Sequence, residues 1–547
     1  GNLLFSEAIE RYLQYKRGHG CPPDLDVYIQ EILNQWYNYT NEDVVVASSW
    51  SKRSYLRQKL AFIIGFLNFD SNSLFHKLYR WKGDTFINIY FATRHTASLI
   101  QSGIGLYYAI KLINPTANFK KLRFSHHLTH ITQALNCQDC DNAIGLVIDG
   151  QGDNENISIY SIHNGKITLK KKVKTYSLGD LYGIITYFSG YSTLKGEEWK
   201  VMGLSAYGKK DQLLYEVLKN AFFTKKGMNV EVFMKIQDIT SKISKEDIAF
   251  TGQLIFEELF FHWVEVAKEL VPNKENIIIS GGSALNSLAI GKLHEKGTFK
   301  RVIVPNAPAD DGNSLGAALL AYKENHPAFI LTQKEGEIRS PYAGSEININ
   351  ELENYVAKSG LPFKKIENAP QYAAKLLHEN KIIGWIQGRA EFGPRALGNR
   401  SILAHPGYKE NKNRINKVVK FRESYRPFAP SILHEYGADY FEKYDFTPYM
   451  EKTLTFKDEV IDKVPVVVHA DKTGRLQSVT EQINPLFHQL ITSFYELTQI
   501  PIVVNTSYNV MGKPIAHDIN DVMAVFFNSE LDAVIIGNYV LERPLFQ

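Results

Sequence analysis

The chain has 547 residues, too many for one hydrophobic core and enough for about two to four domains. Hydrophobic residues make up 44% and charged residues 22%, a globular rather than disordered or fibrous composition. With 62 basic and 58 acidic side chains the formal charge is only +4, which gives no reason to expect nucleic acid or an anionic membrane as the main partner, and no apolar run approaches the roughly 20 residues of a bilayer span.

In chain order, the opening residues Gly1 to Arg11 carry early charge and no cleavage pattern, so no signal sequence is expected. Only Cys21, Cys137 and Cys140 occur, a sparse odd set that suits a reducing compartment, and a cytoplasmic location is expected. Cys137 and Cys140 form a lone CxxC with no second pair to complete a zinc site, and read as a loop pair. The segment His126-His127-Leu128-Thr129-His130 follows. If it is helical, His126 and His130 share one face, as two metal ligands must, whereas His127 points elsewhere. An isolated pair of this kind is also common in cores and on surfaces.

Residues Asp141 to Lys174 alternate as antiparallel strands, with turns at Gly150 to Asn154 and His163 to Gly165. Asp149 closes the apolar strand Ile144 to Ile148. The lysines 170, 171, 172 and 174 read as a solvated strand end, with an anion-facing patch as the alternative. Strand, glycine turn and helix recur at Asn276 to Asn286, and again from Val302 through Asp310-Asp311-Gly312 into Gly316 to Leu320. Gly281-Gly282 lets the backbone approach a phosphate at a helix N-terminus, and Asp311 stands in a similar turn, where a carboxylate can hold a nucleotide's metal. His126, His130, Asp149 and Asp311 together form a nitrogen and oxygen set suited to iron, manganese or zinc rather than calcium, provided the fold brings them together.

The pattern loosens between about Glu324 and Asn348, where a linker is expected. A second α/β stretch follows: a helix from Gln371 to Glu379, strands at Ile382 to Ile386 and Ile500 to Val504, and a helix from Ile519 to Phe527. Its densest segment runs from Gln387 to Ser401 and sets Arg389, Arg395 and Arg400 among glycines directly after a strand. Lys420, Arg422, Arg426 and Arg475 come later, then Asn505-Thr506-Ser507-Tyr508-Asn509. The guanidinium fork matches phosphate, and a nearby Ser or Asn can bind a neutral amide, so an anion site is the reading here, against exposed salt bridges as the bland one.

These motifs resemble the nodulation-protein-U and cephalosporin-type O-carbamoyltransferases from about Glu10 to the C-terminus. The resemblance is carried by His126-His127-x-x-His130, Ile148-Asp149-Gly150 and Gly196 to Leu204. It continues through Gly281 to Asn286, Pro308 to Gly312, Gly388 to Ser401, Lys420 to Pro430, and Asn505-Thr506-Ser507. It implies an α/β fold of two units. Residues 1–335 would be an actin-like ATPase (duplicated ribonuclease H-like) domain, and 336–547 a threonylcarbamoyl-adenylate-synthase-like domain. Two departures are noted: the family's opening strand and His-Asp turn have no counterpart before Gly1, and His469 to Arg475 replaces a more usual Asp-Gly-Thr-Ala-Arg run.

The resemblance further implies ATP-dependent O-carbamoyl transfer. Carbamoyl phosphate and ATP would give carbamoyl adenylate and pyrophosphate at Arg395, Lys420, Arg426, Arg475 and Ser507 of the C-terminal domain. The carbamoyl group would then pass to a hydroxyl of a small-molecule acceptor, such as an antibiotic or other natural product, at the N-terminal domain. Its metal, with iron first and zinc or manganese as alternatives, would be held by His126, His130, Asp149 and Asp311. The ATP, with Mg where it carries one, falls to Gly281, Gly282, Asn286, Lys200 and Asp311. A homodimer is allowed for, and no nucleic-acid or membrane partner is expected. Two other readings are a tRNA threonylcarbamoyl transferase, which should show a broad basic face, and a catalytically silent actin-like binding protein, from which intact arginines and histidines would have decayed.

Overall fold

The computed structural model describes residues 3–14, 26–36, 43–54, 56, 104–175, 177–193, 196–223, 230–420, 423, 425–510 and 512–543. Cys21 and Arg422 lie outside the described residues.

The strands are β1 (Val44–Ser48), β2 (Phe119–Arg123), β3 (Ala143–Ile148), β4 (Ile157–His163), β5 (Lys166–Val173), β6 (Asn276–Ser280) and β7 (Arg301–Ile303) in the first half. The second half has β8 (Lys364–Lys365), β9 (Ile383–Ile386), β10 (Arg400–Ala404), β11 (Ala429–Leu433), β12 (Lys452–Thr455), β13 (Thr473–Val479), β14 (Ile502–Ser507), β15 (Ala533–Ile536) and β16 (Tyr539–Glu542). The chain is therefore mixed α/β, as its sequence implied.

In the first half, β3 to β7 form one sheet in the order β5-β4-β3-β6-β7. The pairs β5–β4 and β4–β3 are antiparallel, whereas β3–β6 and β6–β7 are parallel. That order, an antiparallel meander with two parallel strands beyond its first member, is ribonuclease H-like. β3 is buried along its whole length and β6 along all but its first residue, which explains their unbroken Ala-Ile-Gly-Leu-Val-Ile and Ile-Ile-Ile runs. β5 is mostly exposed, and Lys170, Lys171 and Lys172 line this open edge, where charge discourages pairing with another chain. A separate parallel pair, β1–β2, joins residues from either side of the undescribed 57–103 segment.

Helix α1 (His126–Leu135) covers one face of the main sheet, packing Ile131 with Val147, Ile278 and Ile303. The 26-residue helix α2 (Lys245–Leu270) covers the other, burying Phe256, Phe260 and Val264 against Leu146, Ile277 and Ile279. Ser244 starts α2 by accepting the Asp247 N–H at 3.1 Å. Helix α3 (Asn313–Asn325) leaves the turn after β7.

Residues 326–348 then cross to the second half without a helix or strand. A nine-stranded sheet follows in the order β12-β13-β11-β14-β10-β9-β15-β16-β8, parallel only at β11–β13 and β9–β15. Its helices α4 (Ala369–His378) and α5 (Pro485–Thr498) pack on each other. Each opens with an Asn cap and an early proline. Asn368 accepts from Gln371 N at 3.0 Å and Asn484 from Phe487 N at 3.0 Å.

The two halves touch closely. Gly291, in the helix Ser287–Glu295, lies so near β12 that a Cβ there would stand 1.9 Å from the Thr453 carbonyl oxygen. The Asn306 amide donates to the Phe392 carbonyl at 2.7 Å, and Thr453 Oγ1 donates to Ser287 Oγ at 3.0 Å. Among the described residues no helix is long and apolar enough to cross a membrane.

Candidate functional site

Helix α1 places His126 and His130 on one buried face, one turn apart. β3 ends at Ile148, so Asp149 emerges beside them. The turn after β7 brings up a second carboxylate, and it is Asp310 that arrives. His126 Nε2 stands 3.3 Å from Asp149 Oδ2 and 3.2 Å from Asp310 Oδ1. For His130 Nε2 the same oxygens are at 3.7 and 3.4 Å. One ligand atom from each of the four residues lies within 4.8 Å of every other.

The structure thus corrects the expected ligand set at one position. Asp311 is the next residue of the same turn, and its carboxylate lies outside the cluster. Its Oδ1 is buried without a hydrogen-bond partner among the described residues, and burial first, with the charges of Glu10 and Asp310, pushes its pKa up to about 6. Asp310 keeps 70% of its side chain exposed, so the cluster opens toward solvent on that side.

Electrostatics make the cluster a receptor for positive charge. Burial alone would lower the His126 pKa, but Asp310 and Asp149 overcome it and raise it to about 10. His130 rises for the same reason, with Asp149 contributing most against burial. Asp149 is held well below the usual carboxylate range: burial opposes this, and the two histidines outweigh it. Two imidazole nitrogens and two carboxylate oxygens at this spacing fit a first-row divalent ion. The far nitrogens, Nδ1 of His126 and His130, have no hydrogen-bond partner among the described residues, where a ligating histidine usually has an orienting acceptor.

Other residues hold the cluster. Asp153 accepts the His126 N–H at 3.2 Å with one oxygen and the Ser51 N–H at 3.1 Å with the other. That bond draws in Trp50, whose ring stacks on His126 at 4.4 Å between centroids. The Asn313 amide nitrogen lies 3.1 Å from His130 Nε2, and its oxygen accepts from Thr129 Oγ1 at 2.8 Å. His127 turns away to Ser158 Oγ at 2.7 Å, and burial takes its pKa down to about 3, so it stays neutral. Asp153, Trp50 and Asn313 carry no periodic or spacing signal that sequence reading could have used.

The residues expected to take a nucleotide are placed as follows. Gly281 has φ 93°, and a Cβ there would meet the Ile148 carbonyl oxygen at 2.3 Å, so glycine is required. The Gly282 N–H donates to Asp149 Oδ1 at 2.9 Å, so the turn orients a cluster carboxylate. Asn286 caps the helix Ser287–Glu295 through the Ala289 N–H at 3.1 Å and exchanges hydrogen bonds with Gln253. Lys200 pairs with Glu197 at 2.8 Å and, across to the second half, with Glu423 at 2.7 Å.

In the second half the basic residues fall into three contact groups. Arg475 is near enough for its charge to act on Arg395. Burial first, and then Arg475, holds Arg395 far below the usual guanidinium range, and burial takes Arg475 down to about 10. Neither guanidinium forms an ion pair among the described residues, which leaves both able to meet an anion. Arg395 donates to the Leu285 carbonyl at 3.4 Å and lines a small cavity between the halves with Ala284, Pro308, Tyr449 and Glu451. Lys420 forms the second group. Its N–H reaches back five residues to Ile415 O at 2.8 Å, a widened turn of the kind common at functional sites. The 2% exposed ammonium donates to Ser507 O, and to Asn509 Oδ1 at 2.6 Å. Ser507 Oγ lies 3.3 Å from it. Arg426 is the third, stacked on Trp199 of the first half and 3.5 Å from Glu423.

The loop carrying Arg395 is pinned at both ends. Glu391 Oε1 accepts N–H bonds from Leu397 at 2.7 Å, Asn399 at 2.8 Å and Arg400 at 3.1 Å. Arg11, from the N-terminal segment, donates to the carbonyls of Glu391 and Gly393. Glu391→Ala should therefore cost about 3 kcal/mol or more in urea unfolding, because three buried donors lose a charged acceptor. Glu391→Gln, which keeps an acceptor oxygen, should cost clearly less.

A chain of two docked α/β halves, with a histidine–carboxylate cluster on one and a pair of partly buried arginines, without ion pairs among the described residues, on the other, is the class that fold and site define. It belongs to the carbamoyltransferase family: residues 25–319 match the family's N-terminus and residues 374–543 its C-terminus. The nodulation protein NolNO of Sinorhizobium fredii (strain NBRC 101917 / NGR234) is 33% identical over 441 residues, covering 77% of this chain and 63% of that protein. NolO of Bradyrhizobium diazoefficiens is 32% identical over 438 residues, covering 77% of this chain and 79% of its own. The chain thus spans less than two thirds of NolNO. Among solved structures, full-length HypF in its phosphate- and nucleotide-bound form aligns at a TM-score of 0.25 and 15% identity, over 43% of this chain and 50% of that one.

Proposed function

We propose that this chain is an ATP-dependent O-carbamoyltransferase with two reaction centres. The observation that supports this most is the Arg395–Arg475 pair: two partly buried guanidinium groups with no ion pair among the described residues, in a chain of the carbamoyltransferase family. The first reaction is assigned to the second half. Balance requires that carbamoyl phosphate give up its phosphate to water, leaving carbamate. A carbamate oxygen then bonds to the α-phosphorus of ATP, the α–β phosphoanhydride breaks, and pyrophosphate leaves. Arg395, Arg475, Arg426 and Lys420 offset the repulsion among these anions and the charge that grows on the leaving group. Ser507, beside Lys420, orients the carbamoyl amide.

The second reaction is assigned to the first half. The acceptor hydroxyl oxygen bonds to the carbamoyl carbon, the bond from that carbon to the AMP oxygen breaks, and the hydroxyl proton is lost to solvent. His126, His130, Asp149 and Asp310 would hold a divalent metal, iron first, with zinc or manganese as alternatives. When bound, such an ion polarises a carbonyl or phosphate oxygen and lowers the pKa of a bound hydroxyl. Gly282 keeps Asp149 turned toward the histidines, Asp153 fixes the start of α1, and Trp50 walls one side of His126. ATP and carbamoyl adenylate are assigned to the Gly281–Asn286 turn, with Lys200 and Asp311. The acceptor is a hydroxylated small molecule.

Incubation with carbamoyl phosphate, ATP, iron and a panel of hydroxylated acceptors tests the reading. AMP and a carbamoylated product are expected, and ATP turnover that does not depend on carbamoyl phosphate would reject it. The choice between adjacent aspartates is tested separately. Asp310→Asn should lose most of the tightly bound metal measured after desalting, whereas Asp311→Asn should retain it.

A further inference from the structure

The motif Glu197-Glu198-Trp199-Lys200 belongs to the first half, and the reaction scheme above gives Trp199 no task. Its position suggests one. The guanidinium carbon of Arg426 lies 3.6 Å from the centre of the Trp199 ring, so the two planes are in contact. The Arg426 side chain is 13% exposed, and its Nε–H has no acceptor among the described residues. The carboxylate beside it, Glu423, stands 3.5 Å away and is shared with Lys200, which holds it more closely at 2.7 Å. The guanidinium plane is thus set by the aromatic face more than by hydrogen bonds. Stacking fixes the plane and leaves the N–H edge to meet an anion.

The neighbouring contacts make this an arrangement between the halves. Tyr191 OH and Tyr425 OH lie 2.7 Å apart, and Tyr207 OH donates to the Tyr425 carbonyl at 3.3 Å. Lys200 joins the same group through Glu423. The helix Glu198–Leu204 and the residues flanking it, Tyr191 and Tyr207, therefore hold the segment that carries Arg426.

We infer that Trp199 is a positioning residue for Arg426, so that the carbamoyl-phosphate site of the second half is completed by an aromatic face of the first. This rests on the function proposed above, which makes Arg426 an anion-binding group. A positioning role should appear in substrate affinity, because a swinging guanidinium costs binding before it costs chemistry.

The test uses the full chain and reads carbamoyl-phosphate-dependent ATP–pyrophosphate exchange. Trp199→Leu should raise KM for carbamoyl phosphate about tenfold, between the losses expected for an exposed and a fully desolvated cation–π contact, with kcat changed much less. Trp199→Phe should recover most of that loss, and transfer from supplied carbamoyl adenylate should be unchanged in both. Singly to multiply fluorinated tryptophans placed at position 199 keep the ring's shape and weaken its negative face, so KM should climb with each fluorine. This series remains informative should the leucine variant fail to fold. A flat fluorination series in an active protein would overturn the inference alone, as would equal damage to both half-reactions. Absence of exchange in the unmodified protein would instead remove the proposed function on which the inference depends.

Discussion

Arg426→Ala is expected to reduce carbamoyl-phosphate-dependent ATP–pyrophosphate exchange by about 100- to 1,000-fold, the usual cost of deleting one group that stabilises developing negative charge. Burial takes this guanidinium down only to about 10, so it is charged at neutral pH and its removal deletes a full positive charge from the site. Arg426→Lys should recover little, because an ammonium keeps the charge but not the flat fork that lies on Trp199. Transfer of the carbamoyl group from supplied carbamoyl adenylate to an acceptor should persist. Equal loss of both half-reactions in a folded variant would contradict the division of labour between the halves.

His130→Ala should have the opposite profile. His130 is fully buried, and its Nε2 faces Asp149 at 3.7 Å and Asp310 at 3.4 Å. Deleting it removes one of four donors and leaves two close carboxylates with one histidine between them. Bound metal should fall to a small fraction of one equivalent, and transfer from supplied carbamoyl adenylate should drop by more than about 100-fold, since losing even an outer partner of a metal ligand typically costs 10- to 100-fold. ATP–pyrophosphate exchange should continue near its normal rate. Metal analysis together with the two half-reaction assays checks this, and unchanged metal content would show that the cluster is not the binding site.

Much of this arrangement was legible in the sequence because it follows from local rules. The spacing of His126 and His130 fixes a common helix face, and a five-residue apolar run before Asp149 announces a buried strand that ends at a carboxylate. The helix from Ile519 to Phe527 was readable to the residue, and Asp518 caps it through the Asp521 N–H at 2.7 Å. The choice between Asp310 and Asp311 was not legible. Both sit in one tight turn, and which carboxylate faces α1 depends on the backbone angles at Ala309 and beyond, not on residue type. Lys200 shows a different limit. Its residue type suits a phosphate, yet its charge is taken up by Glu197 and by Glu423, more than 200 positions later in the chain. Trp50 likewise reaches His126 through the pairing of β1 with β2 and through Asp153, contacts that no local pattern encodes.

The most direct measurement is exchange of labelled pyrophosphate into ATP by the purified protein, with carbamoyl phosphate or with threonine and bicarbonate as the partner substrate. Exchange with carbamoyl phosphate alone, lost when Arg395 and Arg475 are both changed to alanine, is the expected result. Exchange driven by threonine, or exchange with carbamoyl phosphate that survives the loss of both arginines, would contradict the account.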